Sequence, residues 1–247
     1  MLFASLAYRA RTRYEAGTRD NRAAKSVIQF EGVWKEYQRR KFRKLVLRDV
    51  NFVLHRGESL GICGANGAGK STLIRLLAGV EHASLGHVRR TMSTSWPLGY
   101  SSAFQSSLTG ADNVRFIARI YGKPVEELLH YVEDFAVLGP FLRQPISTYS
   151  AGMQARLAFA VSLAVDFDCY LIDEITGAGD ERFRVRFEDA LMERRQRSSL
   201  VMVSHASQAL RTYCTRGAVL FDGHLSLYDT IDEAIEVHET RQARLHR

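Results

Sequence analysis

Cysteine is scarce in this 247-residue chain, which carries only Cys63, Cys169 and Cys214. An odd number at such wide spacing excludes a disulfide framework. Cys63 and Cys169 sit in the apolar runs "LGIC" and "CYLI", and the set reads as buried thiols of a reducing compartment. A bilayer-crossing run is also missing. A spanning helix needs about 20 apolar residues. The longest uncharged stretch, Thr91 to Ala111, holds nine serines and threonines together with Pro97, Gly99 and Gly110, so it reads as loop-rich. The opening "MLFASLAYRARTRYEAGTR" puts apolar residues ahead of arginines, the reverse of a secretory signal. Two readings of it stay open: a tail without a packing role (or a start placed too early), and a basic amphipathic arm at a membrane surface. No internal repeat is visible.

What remains is an ordinary globular balance, 46% hydrophobic and 25% charged, with a formal charge of +7. The length allows one large domain or two small ones, at about 100–200 residues each. Charge of this sign points to nucleic acid, an anionic membrane face or a phosphate-rich ligand.

Patterning begins near Val27. "SVIQFEGVWKEY" alternates as an edge strand would, "QRRKFRK" reads as a charged hairpin tip, and "LVLRDVNFVLHRGE" as a second strand pair ending in a turn at Gly57. "SLGIC" is a short apolar run bounded by glycines, predicted as a buried strand. A helix is predicted from Lys70 to a stop at Gly79, and mostly helix from Thr109 to about Ala164. "DCYLIDE" and "SLVMVSH" read as buried strands with a helix between them, and "AVLFDGHLSLYD" as a hairpin across Asp222-Gly223. Thr230 and Glu233 form a capping box opening the last helix. Strands alternating with helices predict an α/β fold with a mainly parallel sheet, into which the 109–164 stretch is inserted.

"GANGAGKS", Gly64 to Ser71, is a full G-x-x-x-x-G-K-[ST] loop between a predicted strand and a predicted helix. Gly64, Gly67 and Gly69 let backbone N–H groups turn inward, where they and the helix N-terminus cradle phosphates. Lys70 reaches the β- and γ-phosphates and Ser71 offers a hydroxyl to Mg²⁺. About a hundred residues on, "CYLIDE" ends a strand in Asp173, placed for the Mg²⁺ shell, and Glu174, placed to activate water. "TYSAGMQARLAFA" (Thr148–Ala160) opens a helix and holds nothing nucleophilic or metal-binding, so by itself Ser150 would be an N-cap.

The order of these features resembles the ABC-type ATPases over roughly residues 27 to 235, carried by Gly64–Ser71, Gln105, Ser150–Gly152, Asp173–Glu174, Asp180 and His205. The resemblance implies a P-loop NTPase cassette: a mainly parallel core, an antiparallel β edge and a helical subdomain. A basic tail (1–25) would precede one cassette (26–247), with core segments 26–104 and 165–247 and a helical subdomain at 105–164. ATP and Mg²⁺ are the implied cofactors. Tyr37 would stack on adenine. Gly64, Ala65, Asn66, Gly67, Ala68, Gly69, Lys70, Ser71 and Thr72 would hold the phosphates. Ser71, Asp173 and Gln105 would hold Mg²⁺, and Glu174, His205 and Gln105 would carry the chemistry. Ser150, Ala151 and Gly152 would clamp the γ-phosphate held by a second copy, so two cassettes would face each other head to tail, and Asp180 would join the cofactor-binding residues as the D-loop aspartate.

Within the family, "YSAGMQARLAFA", "SWPLGYSSAFQSSLTGADNVRFIARIYG" and "LIDEITGAGDERF" resemble ATPase subunits that export capsular polysaccharide or related lipid-linked glycans. That implies two copies of an integral membrane permease, room for envelope-spanning export proteins, and a peripheral place on the cytoplasmic face of a bacterial inner membrane. Some residues depart from the common pattern. Ala151 stands for a glycine, Met153 for a glutamine, Ile175 for a proline, "GAGD" for a Ser-Ala-Leu-Asp loop, and Ser101–Ala103 for glycines. The clamp rests on the Ser150 hydroxyl and backbone N–H groups, so the departures bear on contacts at Met153 and Gly177. An ABC-type ATPase acting on nucleic acid is the alternative. With 80 positions between Lys70 and Ser150 there is no room for a coiled-coil or zinc insertion, and no nucleic acid is expected. A non-hydrolysing scaffold is opposed by the presence of both Glu174 and His205. Thr230 to Arg247 is too short for a β-sandwich, which needs about 100 residues, so glycan selection is expected to lie in the permease or a shared lipid anchor.

Overall fold

The structure, a computed structural model, describes residues 27–39, 42–99, 104–174 and 181–245. These divide into two compact units. One gathers 27–39, 42–94, 168–174 and 195–245; the other gathers 95–99, 104–167 and 181–194.

Two sheets form, and apart from residues 95–97 their strands lie in the first unit. Strands β1 (Val27–Arg39), β2 (Phe42–His55), β3 (Ser59–Cys63) and β4 (Leu85–Arg90) are followed by β5 (Thr94–Pro97), β6 (Cys169–Asp173), β7 (Ser199–Val203), β8 (Arg216–Phe221) and β9 (His224–Tyr228). A three-stranded antiparallel sheet runs β2-β1-β4, and a six-stranded sheet runs β5-β6-β7-β3-β8-β9. β6, β7, β3 and β8 are parallel, and β9 closes antiparallel on β8. Every residue of β3 and of β7 is buried, as expected of parallel strands covered on both faces.

Two strand expectations are corrected. β1 is the centre of its sheet, because Leu85–Arg90 pairs along its second edge (Phe30 opposite Val88). "LVLRDVNFVLH" lies within one strand and is not a pair. Arg48-Asp49 forms a bulge within it. Asp49 takes φ +47°, Asn51 Nδ2 donates to its carbonyl (2.9 Å) and its Oδ1 (3.0 Å), and the Gly32 N–H donates to Asn51 Oδ1 (2.6 Å). The polar side chains absorb the extra residue while the pairing continues. The supposed loop Thr91–Ala111 also contains β5.

Helix α1 (Lys70–Leu77) buries Leu73, Ile74, Leu76 and Leu77 in a core shared with Ile28, Phe30, Phe52, Ile62 and Val203. It stops where Gly79 turns to φ +72°.

The second unit is helical. It holds α2 (Gly110–Tyr121), α3 (Val125–Ala136), α4 (Ala151–Ala164) and all but the last residue of α5 (Glu181–Arg195). Aromatic rings form its centre: Phe159 lies 4.3 Å from Phe187, and Phe167 meets Trp96 and Tyr121 edge-on. Thr109 caps α2 by accepting from Asp112 N at 3.0 Å, and Gly122 ends it in the left-handed region. Asn113, buried in α2, binds both ends of one peptide segment: Oδ1 accepts from Gln105 N (2.9 Å), and Nδ2 donates to Gln105 O (3.2 Å) and Thr109 O (2.9 Å).

The first unit finishes with α6 (Ser207–Tyr213) and α7 (Ile231–Leu245). The capping box is present: Glu233 N donates to Thr230 Oγ1 (3.3 Å) and Thr230 N to Glu233 Oε2 (3.4 Å). No helix among the described residues is long and apolar enough to cross a membrane.

All three cysteines are free and buried. Burial pushes the Cys63 thiol up to about 11 and Cys214 to about 12, and raises Cys169 as well. Thiolate is the reactive form. A thiol reagent at mildly alkaline pH should therefore titrate no cysteine in the native protein and all three after denaturation. Asn113→Ala should cost about 1–3 kcal/mol in urea unfolding, because it strands the Gln105 N–H, while the Gln105 and Thr109 carbonyls keep the N–H groups of Leu108 and Asn113. Amide exchange at Gln105 should accelerate with it.

Candidate active site

The loop after β3 is shaped by what a Cβ would strike. At Gly64 it would lie 2.7 Å from the Leu220 carbonyl oxygen, and at Gly69, with φ +108°, 2.9 Å from Val46 Cγ1. Gly67 also has positive φ, with open space on its Cβ side. Gly69 is the N-cap of α1 and has no side chain to offer, and no acidic residue sits in the first turn. The N–H groups at this helix start are thus left for an anion. α2 and α4 differ, since Thr109 and Ser150 cap them.

Lys70 is 7% exposed. Its ammonium donates to the carbonyls of Gly64 (2.6 Å) and Ala65 (3.0 Å) and lies 3.5 Å from His205 Nε2. Burial pulls its pKa below the ordinary lysine value, and the carboxylates of Glu174 and Asp173 oppose that shift. A cavity of about 310 Å³ opens here. Its walls are Tyr37, Lys44, Val46, the loop residues Asn66, Gly67 and Gly69, the helix start Lys70, Ser71 and Thr72, and Glu174.

Parallel pairing brings the acidic and imidazole groups to the same end. Asp173 is the partner of Val203 across β6 and β7, and Ile62 is the partner of Val203 across β3 and β7. Glu174 follows at once, with φ +56° and its N–H donating to the Val203 carbonyl (3.0 Å). A side-chain-bearing residue in this region carries about 1–2 kcal/mol of strain, a feature often found at functional sites. Glu174 Oε1 lies 2.9 Å from His205 Nε2. Lys70 and Glu174 thus meet the same imidazole nitrogen, which donates to the carboxylate or accepts from the ammonium, one at a time.

Tyr37 lines the cavity with its hydroxyl anchored. It donates to Glu81 Oε2 and accepts from Arg75 at 3.1 Å, while the Lys35 ammonium sits 4.9 Å over one ring face. Thr72 is buried, its Oγ1 3.2 Å from Arg75. Ser71 is exposed at the cavity and Asp173 is half-buried. No group of three His, Cys, Asp or Glu side chains that could hold a metal ion is found among the described residues. A hydroxyl and one carboxylate match Mg²⁺, which keeps waters and shares its shell with substrate phosphates.

The remaining candidates belong to the helical unit. Gln105 is exposed and donates from Nε2 to Ser107 Oγ (3.1 Å), while Asn113 holds its backbone. Ser150 is the exposed N-cap of α4, accepting from Met153 N at 3.2 Å. Ala151 is exposed, Gly152 is half-buried, and a Cβ on Gly152 would meet nothing nearer than Ser150 Oγ at 3.9 Å. Tyr149 is buried just ahead, its hydroxyl donating to the Phe141 carbonyl (2.6 Å). Asp180, Ile175, Gly177, Ser101–Ala103 and the tail 1–25 lie outside the described residues.

The structure thus brings Tyr37, Lys70, Ser71, Thr72, Glu174 and His205 to one site in the first unit. Sequence reasoning missed Glu81 and Arg75, which anchor Tyr37, and Asn113, which holds Gln105. It also treated Lys44 as part of a solvated hairpin tip. A Lys44 signal existed only in the strand register that sets it opposite Tyr37.

Known proteins match the chain along most of its length. The ABC transporter family matches residues 47–177. The capsule polysaccharide export ATP-binding protein CtrD of Neisseria meningitidis serogroup B is 48% identical over 214 residues, 87% of this chain and 99% of that protein. The ATP-binding protein BexA of Haemophilus influenzae is 45% identical, covering 87% of this chain and 100% of that protein. The polysialic acid transport ATP-binding protein KpsT of Escherichia coli is 41% identical over 85% and 97%. Among solved structures, an ATP-binding subunit of an ABC transporter superposes with TM-score 0.71 at 19% identity, covering 86% of this chain and 99% of that one. A dimeric ATP-binding cassette in a post-hydrolysis state with ADP and Pi gives 0.69 at 20% identity, covering 82% and 98%. The structures share the fold and the sequence relatives share the family, so this chain belongs to the ABC transporter ATP-binding proteins.

Proposed function

We propose that the chain is the ATP-hydrolysing subunit of an ABC transporter that exports capsular polysaccharide or a related lipid-linked glycan. The observation that carries the chemistry is the cluster of Lys70, His205 and Glu174 beside a cavity floored by the phosphate loop. The relatives named for capsule polysaccharide export and polysialic acid transport carry the cargo class. No observation favours the nucleic-acid reading.

In this reading the loop Gly64–Thr72 receives the ATP phosphates on backbone N–H groups, and Lys70 releases the Gly64 and Ala65 carbonyls to engage the β- and γ-phosphates. Ser71, Asp173 and Gln105 would hold Mg²⁺, which neutralises phosphate charge when bound. Glu174 accepts a proton from the attacking water. His205, held by Glu174, reaches the γ-phosphate. Tyr37 packs on adenine with its free face. Ser150 already spends its oxygen lone pair as a cap, so its hydroxyl proton, with the N–H groups at Ala151 and Gly152, remains for the γ-phosphate of a second copy. Asp180 is assigned to the nucleotide-binding residues as the counterpart of the D-loop aspartate. The working unit is a head-to-tail homodimer on two permease subunits, peripheral to the cytoplasmic face of the inner membrane and open to envelope-spanning partners. One cassette spans 26–247, with a helical subdomain at 105–164 and a basic tail at 1–25.

Glu174→Gln should lower turnover by about 10²-fold or more while ATP binding persists, since a general base contributes about 10²–10⁴-fold; a near-normal rate removes Glu174 from that role. Lys70→Ala should lose ATP binding itself in calorimetry. A mixture of Lys70→Ala and Ser150→Arg subunits places both lesions at one composite site and leaves the other sound. Nucleotide should therefore be trapped by the mixture and by neither variant alone. Export is checked in cells lacking this subunit: surface polysaccharide should return with the wild-type chain and not with Glu174→Gln.

A further inference from the structure

We infer that Lys44 is a further nucleotide-binding residue, its ammonium meeting the α-phosphate end of the substrate that the reading above places in the cavity. Tyr37 and Lys44 are directly opposite in the β1–β2 register. Side chains opposite one another in an antiparallel pair project from the same face, and both line the cavity. Two residues along the same strand face, Val46 also lines it, and Val46 Cγ1 closes on Gly69 of the phosphate loop. A two-residue step spans about 7 Å of strand. Lys44 therefore stands level with Tyr37, one such step from the phosphate loop, and its four-carbon stem can carry the ammonium from the base end toward the phosphates.

The neighbouring cation behaves differently. Arg43 lies 3.5 Å from Glu36. Lys44 has no carboxylate partner among the described residues. A cation on the cavity wall beside a polyanion contributes without forming part of the phosphate loop, and its effect is modest because Lys44 is exposed to solvent.

The test is calorimetric binding of Mg-ATP and Mg-ADP, with steady-state ATP hydrolysis, on the full chain carrying Lys44→Arg, Lys44→Gln and Lys44→Glu. Lys44→Gln should weaken both nucleotides about fivefold and Lys44→Glu about 20-fold, and Lys44→Arg should stay within about twofold. KM should follow the binding constants, and the losses should shrink as salt is raised. Because ATP and ADP share the α-phosphate, both must weaken together; a loss for ATP alone overturns the placement. Equal effects of Gln and Glu point to packing and overturn the charge role, as does unchanged binding in both. The wild-type chain and Lys70→Ala separate this from the underlying reading. If wild type binds ATP, Lys70→Ala does not, and the Lys44 series is flat, only the Lys44 inference fails. If wild type takes up no ATP, both fail.

Discussion

Parallel pairing of β3, β7 and β6 is the constraint on which the site depends. Parallel strands in one sheet deliver their C-terminal ends to a common edge, and the loops leaving that edge converge. β3 delivers the phosphate loop, β6 delivers Asp173 and Glu174, and β7 delivers Ser204 and His205. The bond from Glu174 N to the Val203 carbonyl extends the ladder one residue past the strand and holds Glu174 in a left-handed turn. A slip of one residue between β6 and β7 would move Glu174 to the other face of the sheet and break its contact with His205. Full burial of β3 and β7 makes such a slip costly.

The helix starts show how one local device serves different ends. α1 begins without a capping side chain or an acidic first turn, so its N–H groups and Lys70 make an electropositive floor. α2 satisfies its start internally with Thr109 and Asp112 and so serves to anchor the Gln105 segment through Asn113. α4 lies between these cases. Ser150 satisfies one N–H with its oxygen and remains exposed, with Ala151 exposed beside it. A start that is partly capped and open to solvent is stable alone and able to meet an anion, as the proposed clamp requires.

Charge within the first unit is arranged for change. Lys70 is buried, bound to carbonyls of its own loop and flanked by Glu174, so its ammonium is held without a nucleotide and has acceptors to exchange for phosphate oxygens. Tyr37 is held the opposite way: Glu81 and Arg75 fix its hydroxyl, so its ring is preset. In the proposed function, a fixed platform for the base and a movable phosphate ligand fit a substrate whose terminal phosphate is transferred.

What the sequence by itself determined is what consecutive residues can carry. The phosphate loop needs its glycines and Lys70 within eight positions, the capping box needs Thr230 and Glu233, and a buried strand ending in Asp173-Glu174 declares itself by its apolar run. Helix existence in 109–164 followed from periodicity for the same reason. Tertiary structure alone decided what depends on pairing between distant segments. β1 became a central strand because Leu85–Arg90 crosses to it, and β2 stayed a single strand because Asn51 and Gly32 stabilise a bulge at Asp49. Lys44 became a cavity residue through its register with Tyr37, and Asn113 an anchor through its reach to Gln105. Cross-strand register and side-chain hydrogen bonds are set by burial summed over the whole sheet, and no window of a single segment contains that sum.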